Sequence, residues 1–503
     1  MATEVLIIGA GPTGLVLALW LRKLGVGVRI IDRTAGPGTA SRALAVQART
    51  LELYRQLDLG DAVAARGHKV PAVNLWVEGR RKARVDFSRI GAGLTRYAFV
   101  EILPQDEHER LLIDRLRAFG TEVERRTELL RFEDDGTAVA ARLRRPDGSE
   151  ETCAARYIAG CDGARSTVRN ALGIAFRGGT YRHRFYVADI EAGGPAIDGE
   201  LHVDLDEADF LAVFPLAQAG RARLVGAIGD AGGAEPTFAD IGARVVGQLR
   251  IEVARVNWFS TYHVHHRVAA HFRKGRAFLL GDAAHIHSPV GGQGMNTGIL
   301  DAVNLAWKLA AVLAGRAGEG LLDSYEIERI GFARRLVATT DRAFSLVTAR
   351  GRLAAAVRTR IAPAVLSRAL GFAAARNLLF RNLSQIALNY RGLPLSLGRA
   401  GGVAGGDRLP WVAIHGADNH APLSEIAWQV HVYGTASPAL RAWCRRRDLP
   451  LHVFAWQPAH GRAGLARDAV HLIRPDAYVA LAEPSGDPDR LARYFADRGI
   501  RPG

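Results

Sequence analysis

The stretch Gly9-Ala10-Gly11-Pro12-Thr13-Gly14 leaves the chain around it little freedom. An apolar run, Val5 to Ile8, leads into it and an amphipathic helical pattern through about Leu24 leads out; a second apolar run, Val28 to Ile31, then ends in Asp32. Glycines at this spacing between a strand and a helix, closed by an acid at the end of the next strand, specify a βαβ unit that receives a dinucleotide. Gly9 permits the tight turn, Gly11 lets the backbone approach a pyrophosphate, and Gly14 lets helix and strand pack closely. The helix start at Pro12 and Thr13 adds positive potential. Asp32, with Arg33 beside it, stands where a carboxylate accepts hydrogen bonds from ribose hydroxyls.

Two further stretches have the same strand-then-turn form. Tyr157 to Gly160 runs into Cys161-Asp162-Gly163 and a helix start. Ala277 to Leu280 delivers Gly281-Asp282 into a glycine-rich continuation, Pro289-Val290-Gly291-Gly292-Gln293-Gly294-Met295-Asn296, which opens a long helix. One carboxylate and several backbone N–H groups therefore face one place. Between these motifs the pattern predicts short strands over 71–103, a helix from Gln105 through Phe119, and two strands over Val123–Arg145 joined at Asp134-Asp135-Gly136. From about 176 to 270 it predicts an antiparallel sheet with few helical patterns, rich in aromatic residues. Helices follow from Asp301 to about Asn389, then a glycine-rich break over 398–406, then a small α/β unit.

Composition narrows the function. The 503 residues carry a formal charge of +15, but the arginines are spread along the chain without a basic run interleaved with aromatics, which argues against nucleic acid and suits anionic cofactors. Cys153, Cys161 and Cys444 form no CxxC pair and no ligand spacing, so no metal is expected. With no secretory leader pattern and no apolar run of about 20 residues, the expectation is a soluble cytoplasmic protein without membrane contact.

Taken together, Gly9 to Gly14 with Asp32, the Asp162-Gly163 turn and Gly281-Asp282 with its continuation resemble the class A flavoprotein aromatic hydroxylases, over residues 1 to about 340. Past the glycine break, Leu472-Ile473-Arg474-Pro475-Asp476-Ala477-Tyr478-Val479-Ala480 resembles the thioredoxin-like C-terminal domain of the phenol hydroxylase and aromatic polyketide hydroxylase branch. Without a CxxC pair that tail has no thiol–disulfide chemistry. The resemblance implies an α/β fold: a Rossmann-like FAD-binding domain (1–70, 104–175 and 271–395, including a helical segment), an inserted, mainly antiparallel β-sheet substrate domain (71–103 and 176–270), and a thioredoxin-like α/β domain (396–503). His108, where an apolar residue is usual, and the single Pro289, where a Pro-Pro pair is frequent, depart from the family pattern.

It also implies roles. Gly9, Gly11, Pro12, Thr13 and Gly14 would cradle the FAD pyrophosphate, and Asp32 and Arg33 would meet the adenosine ribose. Arg42 and Gln105 would lie near the ribityl and pyrophosphate portion. Asp162 and Gly163 would serve FAD and the reduced nicotinamide. Gly281 and Asp282 would hold ribityl hydroxyls, and Pro289, Gly292, Gln293, Gly294, Met295 and Asn296 would face the pyrimidine edge of the flavin. Tyr181, His202, Phe210, Phe214, Pro289, Val290 and Gly291 are the candidate substrate contacts; no catalytic side chain is named, since the flavin carries the chemistry. The activity implied is transfer of one atom of O2 through a C4a-hydroperoxyflavin to a phenolic or polycyclic aromatic substrate, with NADPH or NADH as reductant. Baeyer–Villiger oxygenation or epoxidation on the same scaffold is the alternative, and a non-oxygenating flavin reductase or oxidase, or a flavin-bound protein without turnover, the second. A small aromatic substrate is the expected partner, and a homodimer is left open.

Overall fold

A computed structural model describes residues 2–38, 43–204, 211–228, 237–288, 292–348 and 356–502. The expectations placed on Arg42, Phe210, Pro289, Val290 and Gly291 lie outside the described residues.

Five parallel strands form the heart of the first sheet, in the spatial order Ala277–Leu279, Glu150–Gly160, Ala2–Ile8, Val28–Asp32 and Val123–Arg125. Val5, Leu6 and Ile7 are fully buried, as a strand covered on both faces requires. The helix Pro12–Lys23 has proline at its first position and ends on Arg22 and Lys23, which suit the negative end of its dipole. Registers pair Ile8 with Ile31 and with Gly160, and Gly160 with Leu279, so the carboxyl ends of four neighbouring strands stop at one level.

A second eight-stranded sheet joins 71–103 to 176–270. Its order is His285–Ile286, Glu252–Ala269, Phe176–Gly193, Arg221–Ile228, Leu211–Pro215, Leu201–Asp204, Ala72–Val77 and Arg80–Asp86. Every pairing is antiparallel except Leu201–Asp204 with Ala72–Val77. Its edge strand, His285–Ile286, belongs to the segment that leaves the Gly281 turn, so the chain passes from the first sheet to the second through that turn.

Two sequence expectations need correction. The stretch 123–145 forms three strands: Val123–Arg125 extends the parallel sheet, and Glu128–Asp134 and Val139–Arg144 make a hairpin. Arg126, in the left-handed region at φ 53°, breaks the run where no glycine marks it. The region 176–270 also contains a helix, Phe238–Leu249, whose Gly242, Gly247 and β-branched residues lower its helical signal. The Asp240 carboxylate, accepting from the N–H and hydroxyl of Thr237, marks its start.

The tail builds a third sheet in the order Val403–Ala404, Leu397–Ala400, Val479–Glu483, Val470–Ile473, Gln429–Tyr433 and Leu451–Phe454. Gln429–Tyr433 runs parallel to Leu451–Phe454 across the helix Pro438–Arg446, and antiparallel to Val470–Ile473. His108 sits fully buried with Nε2 2.8 Å from the Tyr54 hydroxyl, and burial pushes its pKa down to about 4, so this departure from the family pattern is a neutral core imidazole.

Candidate cofactor site

Each motif read from the sequence lies just past the carboxyl end of a parallel strand: Gly9 after Ala2–Ile8, Cys161-Asp162-Gly163 after Glu150–Gly160, Gly281-Asp282 after Ala277–Leu279, and Asp32 at the end of Val28–Asp32. Open α/β sheets bind ligands there, because the strand ends and helix starts expose unpaired backbone groups in one crevice.

Two of the glycines are required by packing. Gly9 sits at φ 101°, and a Cβ on it would stand 2.4 Å from the Cys161 carbonyl oxygen; one on Gly14 would stand 2.0 Å from the Gly9 oxygen. Gly11 differs, since a Cβ there meets nothing. Its lack of a side chain serves the space in front of the turn. Thr13 ties the first motif to the third: a Cβ on Gly281 would fall 2.7 Å from its Oγ1, and one on Gly298 2.3 Å. Arg169 ties the second to the third, donating from Nη1 to the Ala283 carbonyl at 2.9 Å and from Nη2 to that of Ala164 at 2.8 Å.

The acids take different positions. Asp32 accepts from the Ala10 N–H at 2.7 Å and from the Thr34 N–H and hydroxyl at 2.8 and 2.6 Å, which fixes it against the first turn, while Arg33 is exposed. Asp162 accepts through Oδ2 from the Thr167 and Val168 N–H groups at 2.6 and 3.2 Å, but its Oδ1 is shut from solvent without a partner. Burial pushes its pKa up against those bonds. An unpaired buried carboxylate oxygen is costly unless a ligand donates to it. Asp282 is exposed at the lip of its turn.

The helix Gly294–Leu313 points its first turn at the same crevice, with the N–H groups of Gly294, Met295 and Asn296 at its positive end. The Asn296 side chain is spent on protein: Oδ1 accepts from the Gln47 N–H at 2.9 Å and the Thr50 hydroxyl at 2.7 Å, and Nδ2 donates to the Ala45 and Gly292 carbonyls at 2.9 and 3.0 Å. Only its backbone is left to face a ligand. Gln293 donates to the Asn382 carbonyl at 3.0 Å. Gln105 reaches this rim through the Ala43 carbonyl, which its N–H meets at 3.1 Å, and donates to Glu109 at 2.7 Å.

Behind the third turn lies machinery that sequence reasoning missed. Asp301, fully buried, accepts from the Gly281 N–H at 3.0 Å and from Arg329 Nε at 2.6 Å, and stands 2.7 Å from His285 Nε2. Burial would raise its pKa, but Arg329 and His285 hold it below the usual carboxylate range. A lone acid among Ile299, Leu300, Ala302 and Val303 was the available signal, since a buried charge needs a partner. Of the candidate substrate contacts, Tyr181, His202 and Phe214 lie on strands of the second sheet. Tyr181 packs on His266 with ring centroids 4.8 Å apart, and Phe214 is half-buried on Leu211–Pro215. His202 is fully buried, 2.9 Å from Trp76 Nε1 and 2.8 Å from Asp198. A cleft of about 490 Å³ opens elsewhere, among Leu388, Arg391, Val403, Trp411 and Arg462, and touches none of the predicted site residues.

This crevice fits FAD: two packed glycines and an open one in the first turn, an unpaired Asp162 oxygen and two helix starts. The FAD binding domain family matches residues 2–340. This chain belongs to that family of flavoprotein monooxygenases. It is 39% identical over 417 residues to the 6-methylpretetramide 4-monooxygenase of Streptomyces rimosus, spanning 80% of this chain and 72% of that one. The anhydrotetracycline hydroxylase structure from Streptomyces rimosus superposes with a TM-score of 0.78 at 30% identity, over 100% of both chains. A ternary complex of aklavinone-11 hydroxylase with FAD and aklavinone gives 0.79 at 26% identity, over 99% of both. As an FAD-dependent aromatic hydroxylase, the monooxygenase uses FAD, O2 and a reduced nicotinamide. No helix among the described residues is long and apolar enough to cross a membrane.

Proposed function

We propose that this monooxygenase hydroxylates a phenolic or polycyclic aromatic compound, bound between the 176–270 sheet and the segment that follows the Gly281 turn. The observation that carries this is the edge strand His285–Ile286, by which the aromatic-rich sheet grows directly out of the cofactor turn. Relatives named for 6-methylpretetramide and aklavinone support the substrate class.

Bound FAD would supply the redox and oxygen-transfer chemistry. Gly9, Gly11 and Gly14 with the start of the helix Pro12–Lys23 hold its pyrophosphate, Asp32 its adenosine ribose, and Asp162 and Asp282 accept from its hydroxyls. The first turn of the helix Gly294–Leu313 would present backbone N–H groups to the pyrimidine edge of bound FAD and favour negative charge there. The sheet keeps water from the reacting carbon and orients the ring; Tyr181 and Phe214 are its candidate walls. NADPH or NADH approaches beside Asp162 and Gly163.

The labour divides among 1–70, 104–175 and 271–395 for FAD, 71–103 and 176–270 for substrate, and 396–503 as a thioredoxin-like tail, a reading supported by the strand order and directions of the third sheet. Cytoplasmic residence accords with three free cysteines. Exposed Val357, Ile361, Val365, Phe372 and Leu378 offer a face to a second copy, which sedimentation mass would detect.

The test is purification with bound flavin, then NADPH and NADH oxidation with a panel of phenols and polycyclic ketones under labelled O2. A product that gains one labelled oxygen on a ring carbon supports the proposal. Nicotinamide oxidation that no aromatic compound accelerates, with hydrogen peroxide as the only product, overturns it.

A further inference from the structure

The motif Leu472 to Ala480 has no part in the chemistry above, yet its charged side chains are among the most deeply buried in the molecule. We propose that the tail positions the flavin turn: Arg474 and Asp476 set the placement of Gly281-Asp282 and of the helix Gly294–Leu313 through one continuous buried chain of hydrogen bonds. This rests on the FAD reading of those turns.

The chain can be followed atom by atom. Arg474 donates from Nε and Nη2 to Asp476 at 2.9 and 2.6 Å, and from Nη1 and Nη2 to Glu328 at 2.6 and 3.0 Å. Glu328 also accepts from Lys308 Nζ at 2.8 Å and Asn304 Nδ2 at 2.6 Å, and Trp307 Nε1 donates to Asp476 at 3.1 Å. Asn304, Trp307 and Lys308 belong to the helix whose first turn carries Asn296. At 1.5 Å per residue the tail thus grips that helix roughly 12–18 Å behind the flavin end. Arg329, next to Glu328, donates to the Tyr390 hydroxyl at 3.1 Å, to the Thr297 carbonyl at 3.1 Å and to Asp301, whose other oxygen holds the Gly281 N–H. From the other side Arg49 donates to the Asp476 carbonyl at 2.7 Å, and it lies between Gln47 and Thr50, which Asn296 anchors.

Glu328, Arg329, Lys308, Arg474 and Asp476 are each at most 2% exposed. Such buried pairs add little stability over apolar packing of equal volume, so stability alone does not account for them. What they provide is direction, because each link fits one geometry, and both ends of the chain terminate on flavin-facing backbone. The sequence supplies the tail 170 or more residues away from the turn it supports, which no local pattern could show.

The experiment uses the full-length protein. Glu328→Gln and Asp476→Asn retain shape and part of the hydrogen bonding; Val432→Ala opens a hole in the tail core away from the chain of bonds. FAD dissociation constants, the visible flavin spectrum and reduction potential, and the unfolding midpoint of the apoprotein are measured for each. The expected result is FAD binding weakened about tenfold or more, with a shifted flavin spectrum, in the first two variants, and binding within about twofold of the parent in Val432→Ala at a similar loss of midpoint. The inference is overturned if the first two variants lower the midpoint but leave FAD affinity and spectrum unchanged, or if Val432→Ala weakens FAD equally. A parent protein that takes up no FAD at all would instead remove the functional proposal, so the two failures are distinguishable.

Discussion

The strand-end crevice and the tail seam are both rich in polar groups, and they use them in opposite ways. At the seam every charge named is spent: Arg474 on Glu328 and Asp476, Lys308 on Glu328 and Asn304. In the crevice, capacity is held back: Asp162 keeps an unpaired oxygen and Gly11 fronts open space. Burial alone therefore does not mark a ligand site. Unspent hydrogen-bonding capacity beside open space and helix starts does, because there a ligand can complete it.

The sharpest way to break this distinction is to remove a spent partner. Arg329→Met leaves Asp301 buried beside His285 with half its support gone, and the expected cost is about 3–5 kcal/mol of unfolding free energy in urea. Asp301→Asn in the same background should recover part of it. A loss below about 1 kcal/mol would show that the seam is solvated and that its groups are not committed to one another.

Next in size is a contrast within one turn. Gly14→Ala drives a Cβ against the Gly9 oxygen, so a loss of about 1–3 kcal/mol is expected before any ligand is considered. Gly11→Ala meets no protein atom and should change apoprotein stability by less than about 1 kcal/mol, while weakening FAD about tenfold or more. Equal effects of the two substitutions on stability would erase the difference between a packing glycine and a ligand-facing one.

That contrast also shows what could be read in the chain. Gly9, Gly14, Asp32, Asp162 and Gly281 were legible because a strand, a tight turn and a helix start make demands on adjacent residues. The spacing alone does not show that a Cβ on Gly14 would clash with the Gly9 oxygen while one on Gly11 would meet nothing. Asp301 and Arg329 were not legible: they are 28 residues apart on two helices, and only their packing says that they meet. Asn296 was read as a cofactor contact through its backbone amide, and that its side chain is committed to Ala45, Gln47 and Thr50 is what no helical pattern reveals. The hairpin over 128–144 was found and the break at Arg126 was missed, since the left-handed conformation there is held by tertiary hydrogen bonds from the Arg126 and Thr127 N–H groups to Thr34 and Asp32.

Glu101 tests the middle ground between the two regions. It is fully buried in a short ribbon, paired with Val46 on one side and Lys69 on the other, and so lies beside the segment that Asn296 anchors. Burial pushes its carboxyl up to about 8, against the opposing Lys69 charge and Gly67 N–H. The folded protein thus keeps this proton up to about pH 8, whereas the unfolded chain releases it near the ordinary glutamate value of 4.5. Between those values the folded state binds the extra proton, so the contribution is present at low pH and is lost as pH rises through 8. Glu101→Gln removes the titration while keeping the shape. The variant should gain on the order of 1–2 kcal/mol over the parent near pH 8, and the gain should vanish toward pH 5. Urea unfolding of both proteins across that range checks it: a pH-independent difference would mean that Glu101 is charged in the folded state and spent on Lys69, which would place it with the seam.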